Sequence, residues 1–178
     1  GFAVAIAVML YVANGSRALY FALAPTLLVY GTVNWDLVAV AFSTAGLLAF
    51  FWRHDRSAGV AFGLGAAAKL YPAMLAVPLM VQRIRERRPD GAIVLGWATA
   101  GAWLVVNLPF AVLAPSAWLT FFRFNSERPA DFDSLWYIAC RHLDACPSTR
   151  AINVWSLAAF LGMSAAVWAL IVIPRSRS

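Results

Sequence analysis

The stretch GAIVLGWATAGAWLVVNLPFAVL, Gly91–Leu113, contains no charged residue. A helix needs about 20 predominantly apolar residues to cross the hydrocarbon core of a bilayer, and this stretch is apolar on every side, which is typical of a helix surrounded by lipid or protein. It therefore predicts a transmembrane helix.

Composition extends this prediction to the whole chain. Of its 178 residues, 62% are hydrophobic and 12% are charged, whereas a soluble domain is roughly 45–50% apolar and about 25% charged. One small water-soluble core cannot bury so large an apolar fraction. We therefore expect an all-α fold, a polytopic transmembrane helix bundle.

Apolar runs divide the chain into predicted spans, and a polar, aromatic outer loop separates the last two. The predicted spans cover about residues 1–14, 18–33, 36–52, 57–81, 91–113 and 152–173. The outer loop covers about residues 114–150. We treat residues 1–178 as a single transmembrane domain. No basic region precedes the first run, so it does not resemble a signal peptide, and we expect the chain to be a fragment of a larger protein.

Clusters of arginine set the predicted orientation. Arg53–Arg56 and Gln82–Arg88 form two short basic turns, and such turns face the cytoplasm in membrane proteins. The net charge of +6 is thus a topology signal, and no nucleic-acid partner is expected. The long segment after Leu113 has no basic excess and is placed outside.

Both basic turns are predicted to be cytoplasmic, which is incompatible with a single membrane crossing between them. Only the apolar stretch Ser57–Val81 separates them, and one crossing would place them on opposite sides. Pro72 interrupts this stretch and disfavours the helical conformation at Tyr71. Two half-helices, Ser57–Ala68 and Tyr71–Val81, that enter and leave from the cytoplasm would resolve the conflict as a re-entrant or broken hairpin. The alternative is one long kinked span.

Lys69 falls at the predicted break and is the only lysine. A lone ammonium within a bilayer costs about 3 kcal/mol even on permissive scales, and broken backbone at that depth needs protein or a wet cavity around it. We expect Lys69 to face a cavity with an anionic partner, for which a lipid phosphate or Asp36 is suitable. The alternatives are structural pairing within the bundle and, in a kinked span, snorkelling to the interface.

Asn34–Trp35–Asp36 joins two predicted spans on the outer side. An amide and a carboxylate suit hydroxyl or cation binding, and Trp35 can stack on a sugar. The alternative is a helix N-cap by Asn34 or Asp36 beside an interfacial tryptophan.

The outer segment Trp118–Trp136 reads WLTFFRFNSERPADFDSLW. Its first part mixes aromatic and polar residues, which predicts an interfacial helix lying on the outer leaflet. Arg123 and Arg128 can hold a phosphate by paired N–H donors, and Asp131 and Asp133 can accept sugar hydroxyls or ligate a cation. The alternative is an ordinary interfacial helix with local Arg–Asp pairs.

Cys140 and Cys146 both lie in the outer loop, and a small disulfide loop and two free thiols both remain open. His54 and His142 lie in different loops, and the chain lacks a zinc-ligand spacing. It also lacks a Gly-rich phosphate loop. We expect neither a metal nor a cofactor.

Four motifs taken in order resemble those of actinobacterial members of glycosyltransferase family 87. They are NWD at Asn34–Asp36, KLYP at Lys69–Pro72, NLP at Asn107–Pro109 and FFRFNSERPADFDSLW at Phe121–Trp136. Those members resemble polyprenol-phosphate-mannose-dependent mannosyltransferases with a GT-C fold.

The resemblance implies an inverting hexosyltransferase in the cytoplasmic membrane of a bacterium, in contact with membrane lipids. It would move a sugar, mannose or arabinose, with mannose preferred, from a polyprenyl-phosphate-sugar donor to a glycolipid or polysaccharide acceptor on the outer face. In GT-C enzymes a carboxylate of the first outer loop commonly acts as the base, and that loop would lie upstream of Gly1. Asp36 is the best remaining catalytic carboxylate, with substrate positioning as its preferred role. The candidate substrate-binding residues are Asn34, Trp35, Lys69, Tyr71, Arg123, Asn125, Arg128, Asp131 and Asp133.

Two other functions fit a broken hairpin less well. A transporter or flippase could use it as a substrate site, but transporters often contain paired interrupted helices and the sequence shows no second copy. A structural membrane subunit would leave Lys69 and the outer Arg–Asp cluster without a role.

Overall fold

The computed structural model describes residues 2–24, 36–130, 132, 134–142 and 146–172. The predicted all-α membrane fold is confirmed, because those ranges contain helices and no strand. A 3₁₀ turn at Gly15–Ala18 separates the first two helices. The helices, α1 to α9 in chain order, are Phe2–Asn14, Leu19–Ala22, Asp36–Phe51, Asp55–Ala68, Tyr71–Arg85, Pro89–Leu113, Pro115–Glu127, Leu135–His142 and Thr149–Val172.

Three helical runs are long and apolar enough to cross a membrane: Phe2–Ala22, Pro89–Leu113 and Thr149–Ala169. The shorter α3 is also apolar. Most of the large hydrophobic side chains of the long runs are exposed in the isolated chain. Such exposure is expected where lipid or neighbouring protein takes the place of water.

The chain forms two compact units, Gly1–Leu108 and Pro109–Ser178, and α6 contains the boundary between them. The N-terminal unit holds α1 to α5 and most of α6, and the C-terminal unit holds α7 to α9. Each is described by itself below.

Helices α3 and α4 run antiparallel through the core of the N-terminal unit. Phe50 and Phe62 are fully buried between them. A Cβ added to Gly46 would lie 2.7 Å from the Phe62 ring, so glycine is what allows α3 to approach that ring. Lost contacts make removal of such a buried ring cost about 3–5 kcal/mol.

Helix α4 packs on α6 through two glycines four residues apart. A Cβ added to Gly59 would lie 2.5 Å from the Leu95 carbonyl oxygen, and one added to Gly63 would lie 2.7 Å from the Ala102 Cβ. Small residues at this spacing let two membrane helices bring their backbones together, where close van der Waals packing drives association.

The predicted broken hairpin is confirmed. Helix α4 ends at Ala68, Lys69 is extended at φ −150° and ψ 136°, and α5 begins at Tyr71. The helix α5 then returns along α4, so the single kinked span is wrong. It continues past Val81 to Arg85 because Gln and Arg, although polar, are good helix formers. At 1.5 Å per residue each half is about 21–23 Å long, less than the roughly 30 Å of bilayer hydrocarbon.

A buried cluster of charges joins the two open ends of the hairpin. Arg83 is 2% exposed. Its Nε donates to Asp55 Oδ1 at 2.6 Å, its Nη2 to the Phe50 carbonyl at 2.6 Å and its Nη1 to Glu86 Oε2 at 2.9 Å. The guanidinium also lies 3.7 Å from the centre of the Phe50 ring. Arg83 thus connects α3, α4 and α5 in one network.

The same cluster brings the two basic turns together, as predicted. Arg53 contacts Glu86 at 3.4 Å, and Arg88 lies 3.7 Å from Asp55 Oδ2. We refer to this side of the N-terminal unit, residues 51–57 and 83–91, as the arginine end.

In the C-terminal unit, hydrogen bonds fasten α7 and α8 to α9. Asn153 Nδ2 donates to the Ser126 carbonyl at 2.6 Å, and Trp136 Nε1 donates to Ser156 Oγ at 2.7 Å. The predicted helix in the outer segment is therefore present as α7. The segment that we expected to continue as a loop contains a second helix, α8, whose first turn is stabilised by the Ser134 hydroxyl, which accepts the Tyr137 N–H at 3.1 Å.

Candidate functional site

The fold of the N-terminal unit places Asp36 and Lys69 at the same end. Asp36 is the first residue of α3, and Lys69 follows the last residue of α4. Since the two helices are antiparallel, both residues lie at the end opposite the arginine end. The Lys69 backbone N–H donates to the Gly65 carbonyl at 2.9 Å, which fixes the start of the break.

Lys69 and Asp36 form an ion pair between Lys69 Nζ and Asp36 Oδ1. Of the two anionic partners expected for Lys69, the structure shows Asp36. The side chains of Lys69 and Asp36 remain 48% and 41% exposed, so a ligand can reach both. An incoming anion can therefore compete with the Asp36 carboxylate for the ammonium.

Tyr71 follows Lys69 by two residues, begins α5 and is 37% exposed. Its hydroxyl can donate or accept a hydrogen bond. We refer to the Lys69–Asp36 pair and the neighbouring Tyr71, at the tip of the hairpin, as the tip site.

An apolar cavity of about 460 Å³ begins next to the tip site. Leu70, the residue after Lys69, lines it, and it continues between the hairpin and α6 with almost no polar surface. Its walls include Ala66, Leu70, Ala73, Val77, Met80, Trp103 and Leu104. Such a cavity suits a hydrocarbon chain whose polar end lies at Lys69.

The C-terminal unit contains a polar cavity of about 310 Å³. Two predicted site residues, Asn125 and Arg128, line it, together with Ser134, Trp136 and Asn153. Asn125 Nδ2 donates to the Phe121 carbonyl at 2.7 Å, which holds the amide close to α7. Amides, a guanidinium and an indole ring are the groups that bind sugar hydroxyls and sugar faces.

The structure separates some predicted site residues from others. Arg123 is exposed on α7 but does not line the polar cavity. The remaining four predicted residues, Asn34, Trp35, Asp131 and Asp133, lie outside the described residues.

Two features of the sequence were underestimated. Asn153 interrupts the last apolar span, and polar residues within such spans often mark functional sites, which could have identified it. Arg83 was interpreted only as a topology signal, although Asp55 stands at the matching end of the other half-helix and offers it a partner.

The two cysteines form a disulfide, Cys140–Cys146, which decides between the alternatives left open above. Within the described ranges, no three His, Cys, Asp or Glu residues come together as a group that could hold a metal ion.

Apolar helices, a broken hairpin and a paired lysine at its tip define an integral membrane protein with an accessible ionic site. The chain belongs to glycosyltransferase family 87, whose sequence model matches residues 1–178, and the predicted resemblance to that family is thereby confirmed. Family membership makes it a membrane glycosyltransferase. No curated protein and no solved structure matches the chain.

Proposed function

We propose that this glycosyltransferase moves a hexose from a polyprenyl-phosphate-sugar donor to a glycolipid or polysaccharide acceptor, and that mannose is the preferred hexose. The transfer takes place at the outer face of a bacterial cytoplasmic membrane, and the tip site binds the donor phosphate. The observation that carries the proposal is the Lys69–Asp36 ion pair beside an apolar cavity.

A lipid-linked donor needs two neighbouring environments. Its phosphate needs a cation and its prenyl chain needs an apolar channel. Lys69 supplies the first, and the cavity that starts at Leu70 supplies the second. A nucleotide-sugar donor would instead need a polar site for its base and ribose, which this cavity does not offer.

Orientation follows from the arginine end. Short arginine-rich loops face the cytoplasm, and the tip site lies at the opposite end of the same antiparallel helices. The tip site then opens toward the outer leaflet. In this orientation, α4 enters the membrane from the cytoplasmic side and α5 returns to that side.

The reaction is a single displacement with inversion, as in GT-C enzymes. The acceptor hydroxyl oxygen forms a bond to the anomeric carbon while the bond between that carbon and the donor phosphate oxygen breaks. The electron pair of the broken bond leaves with the polyprenyl phosphate, and the hydroxyl proton passes to a carboxylate base. The Lys69 ammonium stabilises the charge that develops on the leaving phosphate.

Asp36 exchanges partners when the donor binds. Without donor, its carboxylate neutralises Lys69. When Lys69 binds the phosphate, the carboxylate becomes available to accept hydrogen bonds from sugar or acceptor hydroxyls. We therefore assign Asp36 a positioning role in preference to that of the base.

The polar cavity of the C-terminal unit is proposed to bind the acceptor sugar. Asn125, Arg128 and Asn153 provide donors and acceptors for hydroxyl groups, and the Trp136 indole provides an apolar face. The chemistry of these side chains suits a neutral glycan better than a second phosphate.

The test uses the full-length enzyme in proteoliposomes, supplied with polyprenyl-phosphate-[¹⁴C]mannose and an acceptor glycolipid extract. Lys69→Met should lower kcat/KM by about 100-fold or more, the loss usual for one donor that stabilises developing charge. Lys69→Arg should retain more of the activity because it keeps the charge. The matched control is Arg85→Gln, which removes one charge at the arginine end.

Lys69→Met activity within about threefold of the unaltered enzyme would remove the assigned role of Lys69. Transfer from a nucleotide-sugar in place of the lipid-linked donor would refute the proposed substrate class.

A further inference from the structure

A second polar cavity, of about 440 Å³, lies at the arginine end of the N-terminal unit. Arg53, Arg56 and Arg88 line it together with Ser57. It is opposite the tip site and plays no part in the transfer reaction proposed above. Three guanidinium groups around one cavity favour an anionic ligand.

The carboxylates near this cavity are largely engaged by other groups. Asp55 accepts a 2.6 Å hydrogen bond from the buried Arg83, and Glu86 contacts both Arg83 and Arg53. Asp90 stands in the first turn of α6, where the positive end of the helix offsets its charge.

Two of the arginines retain capacity for a ligand. Arg88 lies 3.7 Å from Asp55 Oδ2, and its Nη1 is buried without a hydrogen-bond acceptor in the described part of the chain. Arg56 is exposed and makes no ion pair with any described carboxylate. Each guanidinium can donate two parallel hydrogen bonds to phosphate oxygens.

Two helices begin at the same cavity. The first turn of α4 contributes Asp55, Arg56 and Ser57, and the first turn of α6 contributes Asp90 and Gly91. The positive ends of the two helices favour an anion, an effect that Asp55 and Asp90 in their first turns offset in part. The helix ends add to the arginines and point to the same ligand charge.

The surroundings of the cavity point to a lipid rather than a soluble anion. Val94 forms its apolar border, and Ile93 and Trp97 on α6 are 55% and 76% exposed. Trp52, next to Arg53, is 55% exposed, and tryptophan is enriched at the membrane–water interface. An anion bound here would have apolar helix surface directly beside it.

We propose that this cavity binds the phosphate of an anionic phospholipid from the leaflet at the arginine end, with Arg56 and Arg88 as the main donors. The acyl chains lie along the exposed apolar face of α6. Basic pockets between transmembrane helices hold acidic lipid headgroups elsewhere. The proposal rests on the cavity alone and is independent of the sugar, donor and acceptor proposed above.

The test measures lipid binding to the purified full-length protein by native mass spectrometry, with phosphatidylglycerol against phosphatidylcholine. Each arginine near an anionic headgroup contributes about a fivefold change in affinity. The double variant Arg56→Gln/Arg88→Gln should therefore bind phosphatidylglycerol about 25-fold more weakly, with unchanged phosphatidylcholine binding. The matched double variant Arg85→Gln/Arg87→Gln loses the same charge at the same end, but neither residue lines the cavity, so it should lose less affinity than the first double variant.

A third arm adds glycerol 1-phosphate, which carries the headgroup chemistry without acyl chains. It should fail to displace the lipid at millimolar concentration, and displacement would identify a soluble-anion site and overturn the lipid assignment. Equal losses in the two double variants would show a diffuse surface charge and also overturn it. If the first double variant does not fold, the single variant Arg56→Gln decides, because it breaks no ion pair of the described structure. It should lose about fivefold, and an unchanged affinity refutes the site.

Discussion

The buried charge cluster at the base of the hairpin gives the sharpest stability prediction. Replacing Arg83 by Met removes the 2.6 Å bonds to Asp55 and to the Phe50 carbonyl. The Asp55 side chain is 7% exposed, so its carboxylate would remain buried with only the more distant Arg88 nearby. Breaking a buried ion pair from one side costs about 3–5 kcal/mol, and we expect Arg83→Met to destabilise the protein by that amount.

The double variant Arg83→Met/Asp55→Leu should recover most of the loss, because apolar residues of similar volume remove both desolvation penalties. The four proteins form a double-mutant cycle, whose coupling energy isolates the pair. The assay is reversible unfolding of the purified protein in mixed detergent–SDS micelles. Arg85→Met, in the same helical turn but exposed, is the matched control and should change the free energy of unfolding by no more than about 0.5 kcal/mol.

Two results would refute this reasoning. One is a loss below about 1 kcal/mol for Arg83→Met, the value expected of a solvent-exposed pair. The other is a double variant as unstable as the sum of the two single variants, which would mean that the two side chains act independently.

Three further predictions concern packing, acid stability and redox state. Gly63→Val should separate α4 from α6, because the added Cβ would meet the Ala102 Cβ at 2.7 Å. It should lower the free energy of unfolding by about 1–3 kcal/mol in the same micelle assay. Gly101→Val, whose added Cβ meets open space, is the control and should lower it less. Burial tends to raise the pKa of Glu86, but hydrogen bonds from Gln82 and Arg83 and the charges of Arg83 and Arg53 outweigh it and hold that pKa below the ordinary value of 4.5. Its stabilising contribution is therefore complete above 4.5 and is lost as the pH falls through the lower folded pKa, so the melting temperatures of Glu86→Gln and the unaltered protein should converge as the pH is lowered through the range below 4.5. Cys140 and Cys146 should resist iodoacetamide until reductant is added, and mass spectrometry showing alkylation before reduction would contradict the disulfide.

Much of the fold was predictable because charge and proline gave independent signals. Two basic turns on either side of one apolar stretch require an even number of crossings, and Pro72 marks where the chain turns back. The position of Lys69 at that break, and Asp36 as a suitable partner, followed from the cost of an isolated ammonium in lipid.

The rest depended on contacts that a linear pattern does not contain. Arg83 looks the same in sequence as the exposed Arg85, and only packing against Asp55 and Phe50 distinguishes them. The helix α8 was hidden because a short amphipathic helix in a polar segment has no hydropathy signal of its own. Asn153 became a cavity residue only when α7 came to lie beside α9.

The hairpin is held very differently at its two extremities. At its base, one buried guanidinium bonds to groups of three helices, whereas at its tip the lysine–aspartate pair is half-exposed. A ligand that replaces the carboxylate at the tip therefore leaves the bonds at the base intact, so the helices can keep their arrangement while the ammonium changes partner.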